Sequence, residues 1–229
     1  MKAADVMGVN VVTAKTDWSV QQVAMVMLEK GIGGLPVVDK ENRVVGMISE
    51  GDLMRRAECG TGHRNSWWLR MLMGRDGLAQ EYVREHGRKV VDVMTPTVIT
   101  ASPSASLGEI AELLEQNRIK RVPIVDNGKL VGIVSRANVV QAVASCLRND
   151  NATNQTDSSL RETILARFKN QPWAQTCLVN VTVNQGTADL WGIAESEAQK
   201  KAFRVAAEVT PGVRAVNDNL MVRQVASTA

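Results

Sequence analysis

No stretch of the sequence gathers charge of one sign into a block. Its 27 Lys and Arg face 24 Asp and Glu, and the net charge of +3 is spread thinly. Nucleic acid is therefore not expected as a partner, because phosphate backbones are read by clustered cations. Cysteine is scarce: Cys59, Cys146 and Cys177 are an odd set without C-x-x-C spacing, as expected of reduced intracellular thiols. No apolar run is long enough to span a bilayer, and the opening MKAADVMGV lacks the apolar core of a signal peptide. The expected compartment is the cytoplasm. A P-loop, a nucleophile–base motif and a paired-carboxylate site are missing as well. Cys59, His63 and His86 lack the spacing of a metal site. A catalytic role, a required cofactor and a bound metal are all unexpected.

What the sequence does have is one stretch written twice. LPVVDKENRVVGMISEGD (35–52) returns as VPIVDNGKLVGIVSRAN (122–138). Each copy is an apolar strand entered through proline, a polar turn, a second apolar strand containing glycine, then Ser and a change to helical periodicity. The copies lie 87 residues apart at Pro36 and Pro123, and 86 apart at Gly46/Gly132 and Ser49/Ser135, so the turn absorbs one residue. Upstream, Asp5-Val6-Met7 matches Asp92-Val93-Met94, and Val12-Thr13-Ala14 matches Ile99-Thr100-Ala101. Self-similarity of this kind defines the architecture before any local reading.

The first repeat is expected over 1–56: a short strand at Val11 and Val12, a helix over 19–29, strands over 36–38 and 44–48, and a closing helix holding Leu53 and Met54. The second, over 89–148, begins at Val98 and Ile99 and continues with a helix over 107–116, strands over 122–125 and 130–134, and a helix over about 137–147. Residues 57–88 interrupt the repeat with a loop, a dense apolar turn at 67–73 (Trp67, Trp68, Leu69, Met71, Leu72, Met73) and a helix over 78–85. The tryptophans either pack on the flank of the module or form a dimer or partner contact. The polar run 149–158 reads as a linker. The last segment, 159–225, reads helix 159–168, strand 177–183, strand 187–191, helix 196–209 and strand 213–222. Alternation puts Val179, Val181 and Val183 on one face and Asn180, Thr182 and Asn184 on the other, which predicts a sheet covered on one face. The fold class is α+β throughout.

Two β-α-β-β-α units carrying a Pro-led strand and a Gly-apolar-apolar-Ser-x-x-Asp/Asn turn resemble a tandem pair of CBS domains, the Bateman module. The resemblance implies a pseudo-twofold module with two ligand clefts, commonly holding AMP, ADP, ATP or S-adenosylmethionine, with a regulatory and non-catalytic role. The α-β-β-α-β tail, with V-x-V-x-x-G-x-A-x-L-x-G before its helix and P-G-V-x-x-V-x-N-x-L after it, resembles a BON domain through Gly186, Gly192, Gly212, Val213, Val216 and Asn217. That family is associated with phospholipid or envelope binding, so a weak lipid contact is implied. A homodimer and an unidentified protein partner are implied by analogy with regulatory modules.

The candidate ligand residues follow from the repeat. Asp52 can accept both hydrogens of a ribose diol, as acidic residues do in dinucleotide folds, and the helix starts after Ser49 and Ser135 can take phosphate on free N–H groups. The bland alternative for Ser49-x-x-Asp52 is a capping box that needs no ligand. The second copy has Asn138 at the diol position, which keeps an acceptor but loses charge assistance. It also has Arg118, Lys120, Arg121 and Arg136 as phosphate contacts, the alternative for Arg118, Lys120 and Arg121 being a solvated helix end. By the resemblance, Thr13 and Thr100 lie near the adenine. Leu35, Pro36, Val122 and Pro123, which lead the two strands, complete the set.

Overall fold

The protein is described here by a computed structural model covering residues 1–54, 75–148, 155–174 and 176–223. The apolar turn at 67–73 lies outside the described residues. The chain divides into two compact units, one of Val12–Ile99 with Asn127–Leu130, the other of Met1–Val11, Thr100–Asp126 and Val131–Ala229.

In the unit built on the first repeat, strand β1 (Ala14–Lys15) runs parallel to β2 (Gly34–Val38), which pairs antiparallel with β3 (Val44–Ser49). Helix α2 (Val20–Lys30), which follows α1 (Ala3–Val6) of the other unit, is fixed at both ends by its sequence. Ser19 Oγ accepts the Gln22 N–H at 3.1 Å, and Gly31 closes the helix in the left-handed region at φ 65°. Its buried face, Val23 and Met27, joins Leu35, Val37, Ile48 and Val90 in one core. Each such side chain contributes about 1.5–3 kcal/mol by leaving water. The strand expected at Val11 and Val12 falls instead on Ala14 and Lys15, because only these two residues meet Val37 and Val38. The short helix α3 (Glu50–Leu53) follows β3, and α4 (Arg75–His86) extends beyond the expected 78–85 at both ends. No residue of α4 is buried, and Leu78, Tyr82 and Val83 are exposed.

The second unit repeats the plan. Helix α6 (Leu107–Gln116) is capped by Ser106 and Glu109, β4 (Arg121–Asp126) pairs with β5 (Lys129–Ser135), and α7 (Arg136–Arg148) follows. The strand expected at Val98 and Ile99 is reduced to a single parallel bridge from Ala101 to Ile124.

The repeats exchange their opening segments. Helix α1 packs its buried Ala3 and Val6 with Ile110, Val122 and Ala142 of the second repeat. Helix α5 (Val90–Val93), from the start of the second repeat, packs in the core of the first. Bridges Gly8–Ile133 and Met47–Thr95 tie these segments to β5 and β3. The repeated glycines make this possible: a Cβ at Gly132 would overlap the Met7 sulfur, and one at Gly46 the Met94 sulfur.

The tail folds as α8 (Gln155–Lys169), a 3-10 turn (Thr176–Leu178), β6 (Val179–Asn184), β7 (Thr187–Ala194), α9 (Glu197–Glu208) and β8 (Ala215–Val222). The sheet order is β6-β7-β8, antiparallel then parallel. Phe168 and Phe203 meet edge to face at 4.9 Å in a core with Ile164, Val181, Leu190 and Leu220. Two expectations are corrected. Helix α8 begins inside the stretch read as a linker, and Asp157 there is buried, accepting the N–H groups of Gln185 and Gly186 at 2.8 and 2.9 Å. Strand β6 is covered on both faces, since every one of its residues is buried. Asn180, Thr182 and Asn184 turn not to water but to the second repeat, where they find hydrogen-bonding groups of α1 and α7.

Candidate functional site

Two turns carry the candidate residues, one in each unit, and their backbones are built alike. In the first, Leu35 and Pro36 are buried in β2 opposite Ile48 and Met47, and Ser49 stands opposite Gly34 at the strand end. The Glu50 N–H is held by the Gly33 carbonyl at 3.3 Å. In the second, Val122 and Pro123 are buried in β4, and the Arg136 N–H is held by the Lys120 carbonyl at 3.1 Å. The parallel registers put Thr13 beside Pro36 and Thr100 beside Pro123, since their neighbours Ala14 and Ala101 pair with Val37 and Ile124. Thr13 is half-buried and Thr100 exposed.

The polar side chains of the turns are already engaged. Asp52 Oδ2 accepts the Ser49 N–H at 2.8 Å and the Ser49 hydroxyl at 2.7 Å. Asn138 Oδ1 accepts the same two groups of Ser135 at 2.8 and 2.7 Å. The capping role is thus present in both copies. It leaves Asp52 Oδ1 with no partner among the described residues. Asn138 Nδ2 donates onward to Gln141 Oε1 at 3.3 Å.

The cations differ in their engagement. Arg136 donates from Nε to Ile119 O at 3.1 Å and from Nη2 to Leu114 O at 3.3 Å, closing the C-terminal end of α6. Lys120 is exposed and Arg121 is half-buried at the start of β4. The first turn has no cation at the matching positions, and the Glu50 carboxylate lies over Gly33, where an added Cβ would come within 2.7 Å of it. No group of three metal-ligating side chains occurs among the described residues, and no helix there is long and apolar enough to cross a membrane. A concavity of about 530 Å³ opens beside Leu160, Thr163, Pro211 and Arg214 of the tail, and none of the candidate residues lines it.

Sequence reasoning missed the groups that join the tail to the second repeat. Arg161 is 3% exposed, and its guanidinium donates to Val181 O at 2.7 Å, Ala4 O at 2.8 Å, Met7 O at 2.5 Å and Asn180 Oδ1 at 3.2 Å. Burial pushes it down to about 10, against the opposing fields of Asp5 and Glu162, so it stays charged at neutral pH. Ser158 donates to Asp5 at 2.7 Å, Ser145 and Thr182 exchange a hydrogen bond at 3.0 Å, and Asn180 donates to Val6 O at 3.0 Å. One signal was legible: Arg161 occupies the apolar stripe of α8 with Ile164, Leu165 and Phe168, at i, i+3, i+4 and i+7.

Comparison with known proteins agrees with this architecture. The CBS domain profile matches residues 3–58 and 90–145, and the BON domain profile matches 156–224. The chloroplastic CBS domain-containing protein CBSX2 of Arabidopsis thaliana is 31% identical over 155 residues, covering 63% of each chain. The crystal structure of CBSX2 in complex with AMP superposes with a TM-score of 0.55, at 31% identity, over 63% of this chain and 97% of that one. An uncharacterized protein of Methanocaldococcus jannaschii is 32% identical, covering 49% of this chain and 73% of its own length. The inosine-5'-monophosphate dehydrogenase of that organism matches at 30% identity over only 23% of its length. This chain spans less than two thirds of the length of CBSX2. The matched turns, the paired repeats and the docked tail make one assignment: the chain belongs to the CBS-domain family, as a tandem CBS pair followed by a BON domain.

Proposed function

We propose that this protein is a cytoplasmic, non-catalytic regulator that binds an adenine nucleotide (AMP, ADP or ATP) at its CBS turns and passes occupancy to a protein partner. The observation that carries the reading is the Asp52 carboxylate. One oxygen locks the Ser49 turn, and the other has no partner among the described residues, which supports a role in accepting from a ribose diol. The AMP complex of the similar CBSX2 supports the choice of ligand. In this reading the module works as a homodimer, and the exposed apolar side chains Met25, Leu28, Val140 and Val143 offer contact surface.

A second reading, an adaptor whose BON domain meets lipid, draws on Asn138, whose acceptor is already occupied. Of the three cations on α9 suited to lipid head groups (Lys200, Lys201 and Arg204), two are engaged, however. Lys200 donates to Leu220 O at 2.6 Å, and Arg204 pairs with Glu208 at 2.6 Å.

Thermal shift with AMP, ADP and ATP separates the readings, because a ligand that binds only the folded state stabilises it by about 2.7 kcal/mol at 100 Kd. Asp52→Asn keeps an acceptor for Ser49 and replaces the remaining oxygen. It should cost roughly 1.5–3 kcal/mol of binding, or about one to two decades in affinity. If no adenosine compound at millimolar concentration moves the transition, the nucleotide reading is wrong.

A further inference from the structure

The two turns share a backbone and differ in what they can offer a ligand. In each, one side-chain oxygen receives both the N–H and the hydroxyl of its serine. For Asp52 the second atom is an oxygen. For Asn138 it is an NH2 group, and the amide cannot be turned over, because that would set Nδ2 against the Ser135 N–H. Both lone pairs of Asn138 Oδ1 are taken. What remains is donor capacity, and half of that is directed to Gln141.

Gln141 does not stand alone. Its Oε1 also receives Asn180 Nδ2 of the BON strand β6 at 3.5 Å. Asn180 is held in turn by Val6 O at 3.0 Å and by Arg161 at 3.2 Å. A glutamine oxygen receiving from both sides fixes each neighbour as a donor. The first turn has no counterpart: no BON group is hydrogen-bonded to Asp52 among the described residues.

We infer that the second turn is a donor site, which recognises its ligand by donating to an acceptor oxygen and does not accept the hydroxyl hydrogens of a ribose diol, and that Gln141 and Asn180 are the positioning residues that set this polarity. The inference rests on the nucleotide reading above for its ligand class, an adenosine derivative whose 2′-hydroxyl is not required at this turn. The first turn keeps the opposite preference. The BON domain thus takes part in ligand selection without touching the ligand.

Two measurements on the full chain test it, one without ligand. In the unliganded protein the Asn138 side-chain amide resonances should shift, and exchange faster with water, in Gln141→Ala and in Asn180→Ala. They should stay near their positions in Gln141→Glu, which keeps an acceptor. If Asn138 is indifferent to both alanine variants, the inference is overturned whatever nucleotides do. The second measurement is calorimetry with AMP and 2′-deoxy-AMP. The first turn should prefer AMP by about tenfold or more, a preference erased by Asp52→Asn. The second should bind the two within about twofold, and Asn138→Asp should create there the tenfold preference it lacked. Equal discrimination at both turns in the wild type, or no gain in Asn138→Asp, refutes the donor assignment while leaving nucleotide binding intact. Failure of any nucleotide to bind removes the nucleotide reading, and the amide resonances then decide the donor assignment.

Discussion

Arg161 shows how much one residue can fix. It is a buried cation with no carboxylate in direct contact among the described residues, satisfied by three carbonyls and one amide oxygen from both partners of the docked pair. Only the fork of a guanidinium reaches so many acceptors from one point. Arg161→Met leaves the carbonyls of Ala4, Met7 and Val181 without this donor and should destabilise the protein by on the order of 3 kcal/mol. Arg161→Lys should recover little of that, since a point charge cannot serve acceptors spread over this arc. The pH dependence has a definite sign. The folded-state value, about 10, lies below the ordinary arginine value. The burial cost is therefore constant below pH 10 and is relieved only as pH rises above it. Denaturation midpoints of wild type and Arg161→Met, compared between pH 6 and pH 9, should differ by a constant amount. A difference that grows or shrinks across this window would mean another group governs the contact.

Strand β6 is where reading by element succeeded on one face and failed on the other. Its period of two correctly placed Val179, Val181 and Val183 in the core. The same alternation assigned Asn180, Thr182 and Asn184 to water, because polar residues on alternate positions look the same whether they meet solvent or another domain. The repeats were legible for a related reason. Pro36, Gly46 and Ser49 recur as a set, and each has a local job that the sequence must spell out. The exchange of opening segments was not legible, since Asp5-Val6-Met7 and Asp92-Val93-Met94 fit either repeat equally well. The Ser49 and Ser135 turns were visible as residue types, whereas the partners that set their polarity, Gln141 and Asn180, lie in other elements and carry no motif. The polar face of β6 can be tested through Thr182, whose hydroxyl meets Ser145 Oγ at 3.0 Å and accepts Trp191 Nε1 at 3.2 Å. Thr182→Val should cost about 1–3 kcal/mol, chiefly by stranding the Ser145 hydroxyl. Adding Ser145→Ala should recover part of that loss, because the hydroxyl left unpaired is then gone. A double-mutant cycle from urea midpoints measures the coupling, and strict additivity would show that the contact contributes nothing.

At the scale of the molecule, the BON domain and the second repeat belong to one compact unit and not to two beads on a string. Hydrogen exchange under increasing denaturant should see β4–β5 and β6–β7 lose protection together, because their shared groups open in one step. In Arg161→Met the two should separate, with β6–β7 opening first. If they already separate in the wild type, the docking does not couple them.

The exchange of opening segments also bears on how the chain is made. Ala4 leaves the ribosome long before its partner Arg161, 157 residues behind it. At 5–20 residues per second, that interval is on the order of ten seconds. For most of it, helix α1 lacks the completed second repeat, and for all of it the BON helix, and a four-residue helix does not hold its shape alone. The nascent first repeat likewise waits for Val90 and Met94 to complete its core. Helix α1 is thus made well before the elements it packs against, and a chaperone or a neighbouring nascent chain has those seconds in which to meet it.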